Sequence, residues 1–182
     1  MGQLKEVWPV KVLAGLLSRE VALFETVILE LEREWGPVDQ QSELMEFNFT
    51  RYYKEELGND LKRLFISFAG LVDPGRLPKM KLFTNHIEDK LSINGRRRVN
   101  IDPGYITPAR LILATTKDHA HRVYLGRGIY GDLTLIYSQG RFNPLPWTYP
   151  DYRSEEYVAY FKRVREICRE QLRNSVPIIF KL

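Results

Sequence analysis

Cysteine is nearly missing from this chain of 182 residues: there is one, Cys168. That excludes an internal disulfide framework and any multi-cysteine zinc site. Cys168 lies in a helical apolar stripe, a position that belongs to a core. Long apolar runs are missing too, since none approaches the roughly 20 residues that cross a bilayer. Met1 to Glu6 lacks the pattern of a signal peptide. The expectation is a cytoplasmic protein without a membrane partner. No GxxxxGK(S/T) loop occurs, which argues against a P-loop NTPase, and no HExxH helix occurs. Gly126-Arg127-Gly128 lacks the third glycine and the following helix of a dinucleotide fingerprint. Carboxylates paired at a convincing spacing are absent as well; the cofactor is unknown from sequence, although Asp102 or Asp132 could bind a divalent ion.

What is present is an ordinary globular composition, 44% hydrophobic and 27% charged. That suits a single domain over residues 1–182, large enough to bury a core without staples. The net charge is +4, and it is unevenly placed. From Arg96 to Arg127 seven Lys/Arg oppose Asp102 and Asp118, a local +5, so the remainder of the chain carries −1. Such an excess favours an anionic partner, either a phosphate group or RNA.

Periodicity gives the elements. Val10 to Leu17 is a buried strand, and Ser18 stands where it can cap a helix whose stripe is Val21, Phe24, Ile28, Leu31 and Trp35. Glu43 to Thr50 alternates as a half-buried strand. Arg51 to Asn59 reads as a loop or a single helical turn. Leu61 to Phe68 is a further strand. A second helix starts near Pro78 and carries Met80, Thr84, Ile87 and Leu91. Val99 to Ile101 reads as a strand stopped by a type II turn at Asp102-Pro103-Gly104. The order β-α-β-β-α-β predicts an α+β fold with a mainly antiparallel sheet and a ferredoxin-like N-terminal core, its helices on one face. Leu111 to Thr115, His121 to Leu125 and Ile129 to Tyr137 extend the sheet, the last two as a C-terminal β-hairpin. A last helix follows, capped by Ser154, with Tyr157, Phe161, Val164, Cys168 and Leu172 on its apolar face. Val176 to Lys181 reads as a short terminal strand.

The hairpin holds the candidate site. With Gly126 to Gly128 as a three-residue loop, Leu125 faces Ile129, Tyr124 faces Tyr130 and Arg122 faces Asp132. A two-residue loop would slip this register by one and separate Arg122 from Asp132. Arg122, Tyr124, Tyr130, Asp132 and Thr134 then share a polar face, and alternation places His121 with Val123 and Leu125 on the apolar one. Lys117 and Arg122 are candidate anion ligands, and Arg is the better fork donor. His121 and Asp132 are candidate acid/base groups, and Asp102, Tyr124 and Tyr130 are candidate ligand contacts. His119-Ala120-His121 offers two imidazoles to a metal, but a third ligand must come from elsewhere. Trp147 to Arg153 is a loop stiffened by Pro144, Pro146 and Pro150, fit either to stack a base or to pin the last helix.

Several segments together resemble the DUF4416 family. They are Glu46-Phe47-Asn48-Phe49-Thr50 with Tyr52-Tyr53, Leu61-Lys62-Arg63, Thr84-Asn85 and Asn100-Ile101-Asp102-Pro103-Gly104-Tyr105. They continue with Thr116-Lys117-Asp118, His121-Arg122-Val123-Tyr124-Leu125, Gly128-Ile129-Tyr130 and Pro146 through Arg153. The resemblance implies a stand-alone domain of about this length and no established reaction. The residues themselves point to a domain that binds a phosphorylated small molecule or nucleotide at a basic sheet face, with hydrolase or transferase activity as its enzymatic form. An RNA-binding module using Arg96 to Arg98 and the aromatics is the alternative, and a structural or interaction protein is a third reading.

Overall fold

The computed structural model describes residues 6–49 and 57–177. Its chain order is β1 (Val10–Ser18), α1 (Ala22–Trp35), β2 (Val38–Gln41), β3 (Met45–Glu46), β4 (Lys62–Val72), α2 (Leu77–Lys90) and β5 (Asn100–Ile106). Then come β6 (Arg110–Thr115), β7 (Arg122–Gly126), β8 (Ile129–Ser138), β9 (Arg141–Pro144) and α3 (Glu155–Arg173). The fold is α+β. Among the described residues the strands form one sheet in the order β2-β4-β1-β5-β6-β8-β7, with β3 added to β4 and β9 to β8. Every pairing is antiparallel.

β1 is buried along its whole length, because both faces of the sheet are covered. On one face Val12, Ala14 and Leu16 pack with Leu64, Ile66 and Phe68 of β4 under Phe24, Val27 and Leu31 of α1 and Met80 and Ile87 of α2. On the other, Leu13 and Phe65 pack under Tyr157, Tyr160, Phe161, Val164 and Cys168 of α3. The helices are therefore not all on one face, and α3 seals the second. Burial of each such side chain contributes about 1.5–3 kcal/mol before ordering entropy is subtracted. This double covering is why Val10 to Leu17 reads as a continuous apolar run instead of an alternating one.

Three local readings are corrected, and two short strands are added. Ser18 is not the helix cap: its hydroxyl accepts from the Glu20 amide and donates to the Arg98 carbonyl, while α1 starts at Ala22 without a side-chain cap. The expected strand from Glu43 is only the two residues of β3, and β2 precedes it in a stretch to which no element was assigned. β9, a short return strand on β8, had no signal of its own. The Asp102-Pro103-Gly104 tripeptide is not a turn, because β5 runs through it, with Pro103 opposite Ala14 of β1. β6 joins β5 only from Gly104 onward, which leaves Pro103 one strand neighbour and lets the ladder accept its missing N–H. Gly104 is needed there, since a Cβ would lie 2.5 Å from the Ile112 carbonyl oxygen. Most of Arg51 to Asn59, and most of the proposed strand at Val176 to Lys181, lie outside the described residues.

Candidate functional site

A cavity of about 730 Å³ opens where β4, β5, β6, α2 and the hairpin meet the loop before α3. That volume is within the roughly 300–1,000 Å³ of small-molecule sites. Among the described residues its wall carries five cations (Arg63, Lys81, Arg97, Lys117, Arg122) and five carboxylates (Glu88, Asp89, Asp102, Asp132, Asp151), with Phe47, Phe49, Tyr149 and Tyr152 as aromatic lining.

One end is built by the β7–β8 hairpin. Arg122 stands opposite Asp132 and Tyr124 opposite Tyr130, as the sequence predicts. The turn is nevertheless shorter than expected. Gly126 pairs with Ile129, and Arg127 and Gly128 alone close the hairpin with φ of 58° and 75°. A register shift between Tyr124 and Gly126 restores the pairing that a two-residue turn would have slipped. Arg122 Nε donates to Asp132 Oδ2 at 2.8 Å, Nη1 to the Lys117 carbonyl at 3.0 Å and Nη2 to the Tyr149 hydroxyl at 3.2 Å. Burial opposes the charge of Arg122, but its bonds to Asp132 and Tyr149 outweigh this and hold its pKa above the ordinary value. A guanidinium has five N–H donors, so two remain after these three bonds.

The other predicted residues divide. Lys117, Asp102 and Asp132 line the cavity with Arg122. Tyr124 and Tyr130 do not; they pack on each other with ring centroids 5.3 Å apart, away from the cavity wall. His121 precedes β7, so strand alternation does not govern it. Its Nε2 comes within 3.4 Å of Asp132 Oδ2, and its ring stacks on Trp147 and His119. It sits beside Asp132 rather than on the wall. No group of three or more His, Cys, Asp or Glu suited to a metal occurs among the described residues. In the basic triplet, Arg98 pairs with Glu20 through two nitrogens, and Arg97 bonds Glu88 at 2.9 Å and Asn100 at 3.0 Å.

The other end was not foreseen. Arg63, on the α3-side face of β4, is almost fully enclosed and lies between the rings of Phe47 and Phe65, 5.3 and 5.6 Å from their centroids. Gly15 makes room for it: a Cβ there would be 3.1 Å from Arg63 Nη1 and 2.8 Å from the Phe65 ring. Nη1 donates to Asp102 Oδ2 at 3.2 Å, and Nη2 approaches Asp151 Oδ2 at 3.5 Å. Burial raises the pKa of both carboxyls, but only Asp102 is over-compensated by Arg63, Lys81 and the Asn100 amide, so it ends below its ordinary value. Asp151, buried and repelled by Asp102, stays above its ordinary value despite Arg63. On α2, Glu88 accepts from the Ile101 amide at 2.6 Å, and Lys81 donates to the Ile101 carbonyl at 2.8 Å. The loop from Trp147 to Arg153 is anchored as packing requires. Trp147 Nε1 donates to the Leu133 carbonyl, Thr148 to the Thr134 carbonyl, and Arg153 to the Thr148 carbonyl. It also delivers Tyr149, Pro150, Asp151 and Tyr152 to the cavity. The available signal for Arg63 was a cation within the apolar strand Leu61 to Phe68, on the same alternating set as Phe65 and Ser67.

The model of a family described as a domain of unknown function, DUF4416, matches residues 8–167. The chain belongs to the DUF4416 family. The match includes both ends of the cavity, so Arg63, Asp102, Arg122, Asp132 and Asp151 are all inside the family's own span. No curated protein and no solved structure matches the chain.

Proposed function

We propose that this DUF4416 protein binds a phosphorylated small molecule in the cavity, its phosphate seated at the Arg122 end. The observation that carries the reading is the state of Arg122. It is buried and immobilised by three hydrogen bonds, keeps unused N–H donors and stands on the wall of a ligand-sized cavity. A fixed guanidinium fork suits phosphate, because its planar donors need no reordering when the anion arrives. Tyr149 strengthens the arrangement. Its hydroxyl accepts from Arg122, which leaves its own proton to be donated. Lys117 lines the same wall. The RNA reading drew on the triplet from Arg96 to Arg98 and on the aromatics, and two of those three guanidinium groups are engaged by Glu88 and Glu20.

Thermal denaturation of the full chain with increasing inorganic phosphate and phosphate monoesters tests the proposal. A ligand at 100 times its Kd adds about 2.7 kcal/mol of stability. The double variant Arg122→Gln/Asp132→Asn removes the buried charge pair together and leaves neither ion alone. It is expected to lose the phosphate-dependent rise in Tm, and a rise equal to that of the unaltered protein would overturn the assignment.

A further inference from the structure

β7 is the last strand of the sheet, paired with β8 on one side and with no strand among the described residues on the other. Its three central residues, Val123, Tyr124 and Leu125, are 67%, 60% and 41% exposed. Native sheets blunt such an edge with lysine, proline or a covering segment, because a bare apolar strand recruits another strand. The protein does this next door. Beyond Asp132 the outer edge of β8 is covered by Trp147 Nε1 on the Leu133 carbonyl, by the Thr148 hydroxyl on the Thr134 carbonyl and then by β9. β7 has no such cover among the described residues, and no charged or proline residue occurs from Val123 to Gly126.

This edge is complementary to itself. The Arg122 N–H is turned away from β8, since it donates to the His119 carbonyl at 2.9 Å. The strand period of two then turns the N–H and C=O of Tyr124 outward as well, ahead of the irregularity at Leu125. Two copies related by a two-fold axis at Tyr124 would exchange both bonds through that residue, as a hydrogen-bonded antiparallel pair does. The same register sets Val123 of each copy opposite Leu125 of the other. These two side chains share a face, because Val123 pairs with Gly131 and Leu125 lies over Gly131, where an added Cβ would be 3.1 Å from the Leu125 side chain. Apolar side chains therefore meet on that face and the two Tyr124 rings on the other, with no charge in the paired stretch.

We propose that this chain forms a two-fold dimer by antiparallel pairing of β7 with β7 of a second copy, which continues one sheet through both. An isologous contact closes after two copies, so it gives a dimer and not a fibre. The dimer does not depend on the ligand reading. It would nevertheless bring the two Arg122 residues onto one face of the joined sheet, with Cα atoms about 14 Å apart. A contact of one short strand belongs to the small class, below about 1,200 Å², so the dimer is expected to come apart on dilution.

Sedimentation of the full chain from about 1 µM to about 1 mM tests it. A reversible dimer is expected at the upper end, and a chain that stays monomeric throughout would overturn the proposal and leave the edge to a different strand. Val123→Lys places a charge on a side chain already in water, so Tm should hold while dimerisation weakens on the order of tenfold or more. A dimer of undiminished strength would put the contact elsewhere and sink the assignment. Tyr124→Cys reads the register. Residues opposite each other in a hydrogen-bonded pair have Cα atoms about 5.5 Å apart, within disulfide reach, and Cys168 is buried. Mild oxidation should therefore link Tyr124→Cys into a covalent dimer and leave Ile136→Cys, exposed on β8, largely unlinked. No covalent dimer from Tyr124→Cys, or an equal yield from Ile136→Cys, would count decisively against the two-fold at Tyr124.

Discussion

Arg122 and Asp132 face each other across β7 and β8 at 2.8 Å, although the turn joining their strands is one residue shorter than that pairing requires. The irregularity at Leu125 supplies the missing residue. The ion pair thus depends on a local departure from strand geometry, and it is buried, so its two halves are not independent.

Arg122→Ala should therefore be far more harmful than removal of the whole pair. A buried carboxylate left without its cation costs about 3–5 kcal/mol, whereas replacing both partners by neutral side chains of similar shape is much milder. Urea denaturation of Arg122→Ala, Asp132→Asn and the Arg122→Gln/Asp132→Asn variant would measure the difference. A double variant as unstable as Arg122→Ala would contradict the coupling.

Gly104→Ala tests the path of β5 through the Asp-Pro-Gly segment. The added methyl would lie 2.5 Å from a backbone oxygen and 2.7 Å from the Leu113 side chain, and backbone cannot step aside cheaply. A loss of about 1–3 kcal/mol or more is expected. If this segment were a surface turn, the substitution would leave Tm almost unchanged.

The two carboxylates on Arg63 should respond oppositely to pH. Folding holds the Asp102 pKa below 3.8, so its contribution is present above that value and is lost as pH falls through the folded pKa. Asp151 is raised above 3.8, so the folded chain takes up this proton first. Its penalty is present at neutral pH and is relieved as pH falls toward 3.8. Asp151→Asn, which resembles the protonated acid, is expected to be neutral or stabilising near pH 7. Asp102→Asn should lose on the order of 2 kcal/mol by depriving Arg63 of a charged hydrogen bond. Melting curves from pH 3 to 8 would reveal any reversal of that ranking.

Cys168 should behave as a core side chain. Burial raises its thiol pKa, and its sulfur lies 3.6 Å from the Ile106 carbonyl beneath α3. Modification by an aromatic disulfide reagent should be slower in the native protein than in urea by on the order of 10³-fold or more, since it must wait for opening. Rapid native labelling would remove Cys168 from the core.

The β-sheet, all three described helices and the facing of Arg122 with Asp132 were legible because each rests on local periodicity or on counting outward from a turn. β2 and β9 were not, since Val38-Asp39-Gln40-Gln41 and Arg141-Phe142-Asn143-Pro144 are too short and polar to alternate, and tertiary pairing alone makes them strands. The Arg63 end was hidden for another reason. A lysine or arginine in an apolar strand reads as an outward-facing residue, and its burial makes sense only once Asp102 and Asp151 arrive from later segments. Pro103 misled in the opposite direction, because Asp-Pro-Gly favours a turn unless a neighbouring strand is absent at the proline.

The wall of the cavity is gathered from Phe47, Arg63, Lys81, Asp102, Arg122 and Asp151, which belong to widely separated stretches of the chain. No single hairpin or helix–strand unit contains both ends. Fragments of the protein will thus lack the cavity even where they keep secondary structure, and loosening α3, whose preceding loop supplies Asp151, dismantles one wall while the hairpin stays intact. Amide exchange in the loop from Trp147 to Arg153 would consequently report the integrity of the whole chamber, including walls encoded a hundred residues earlier.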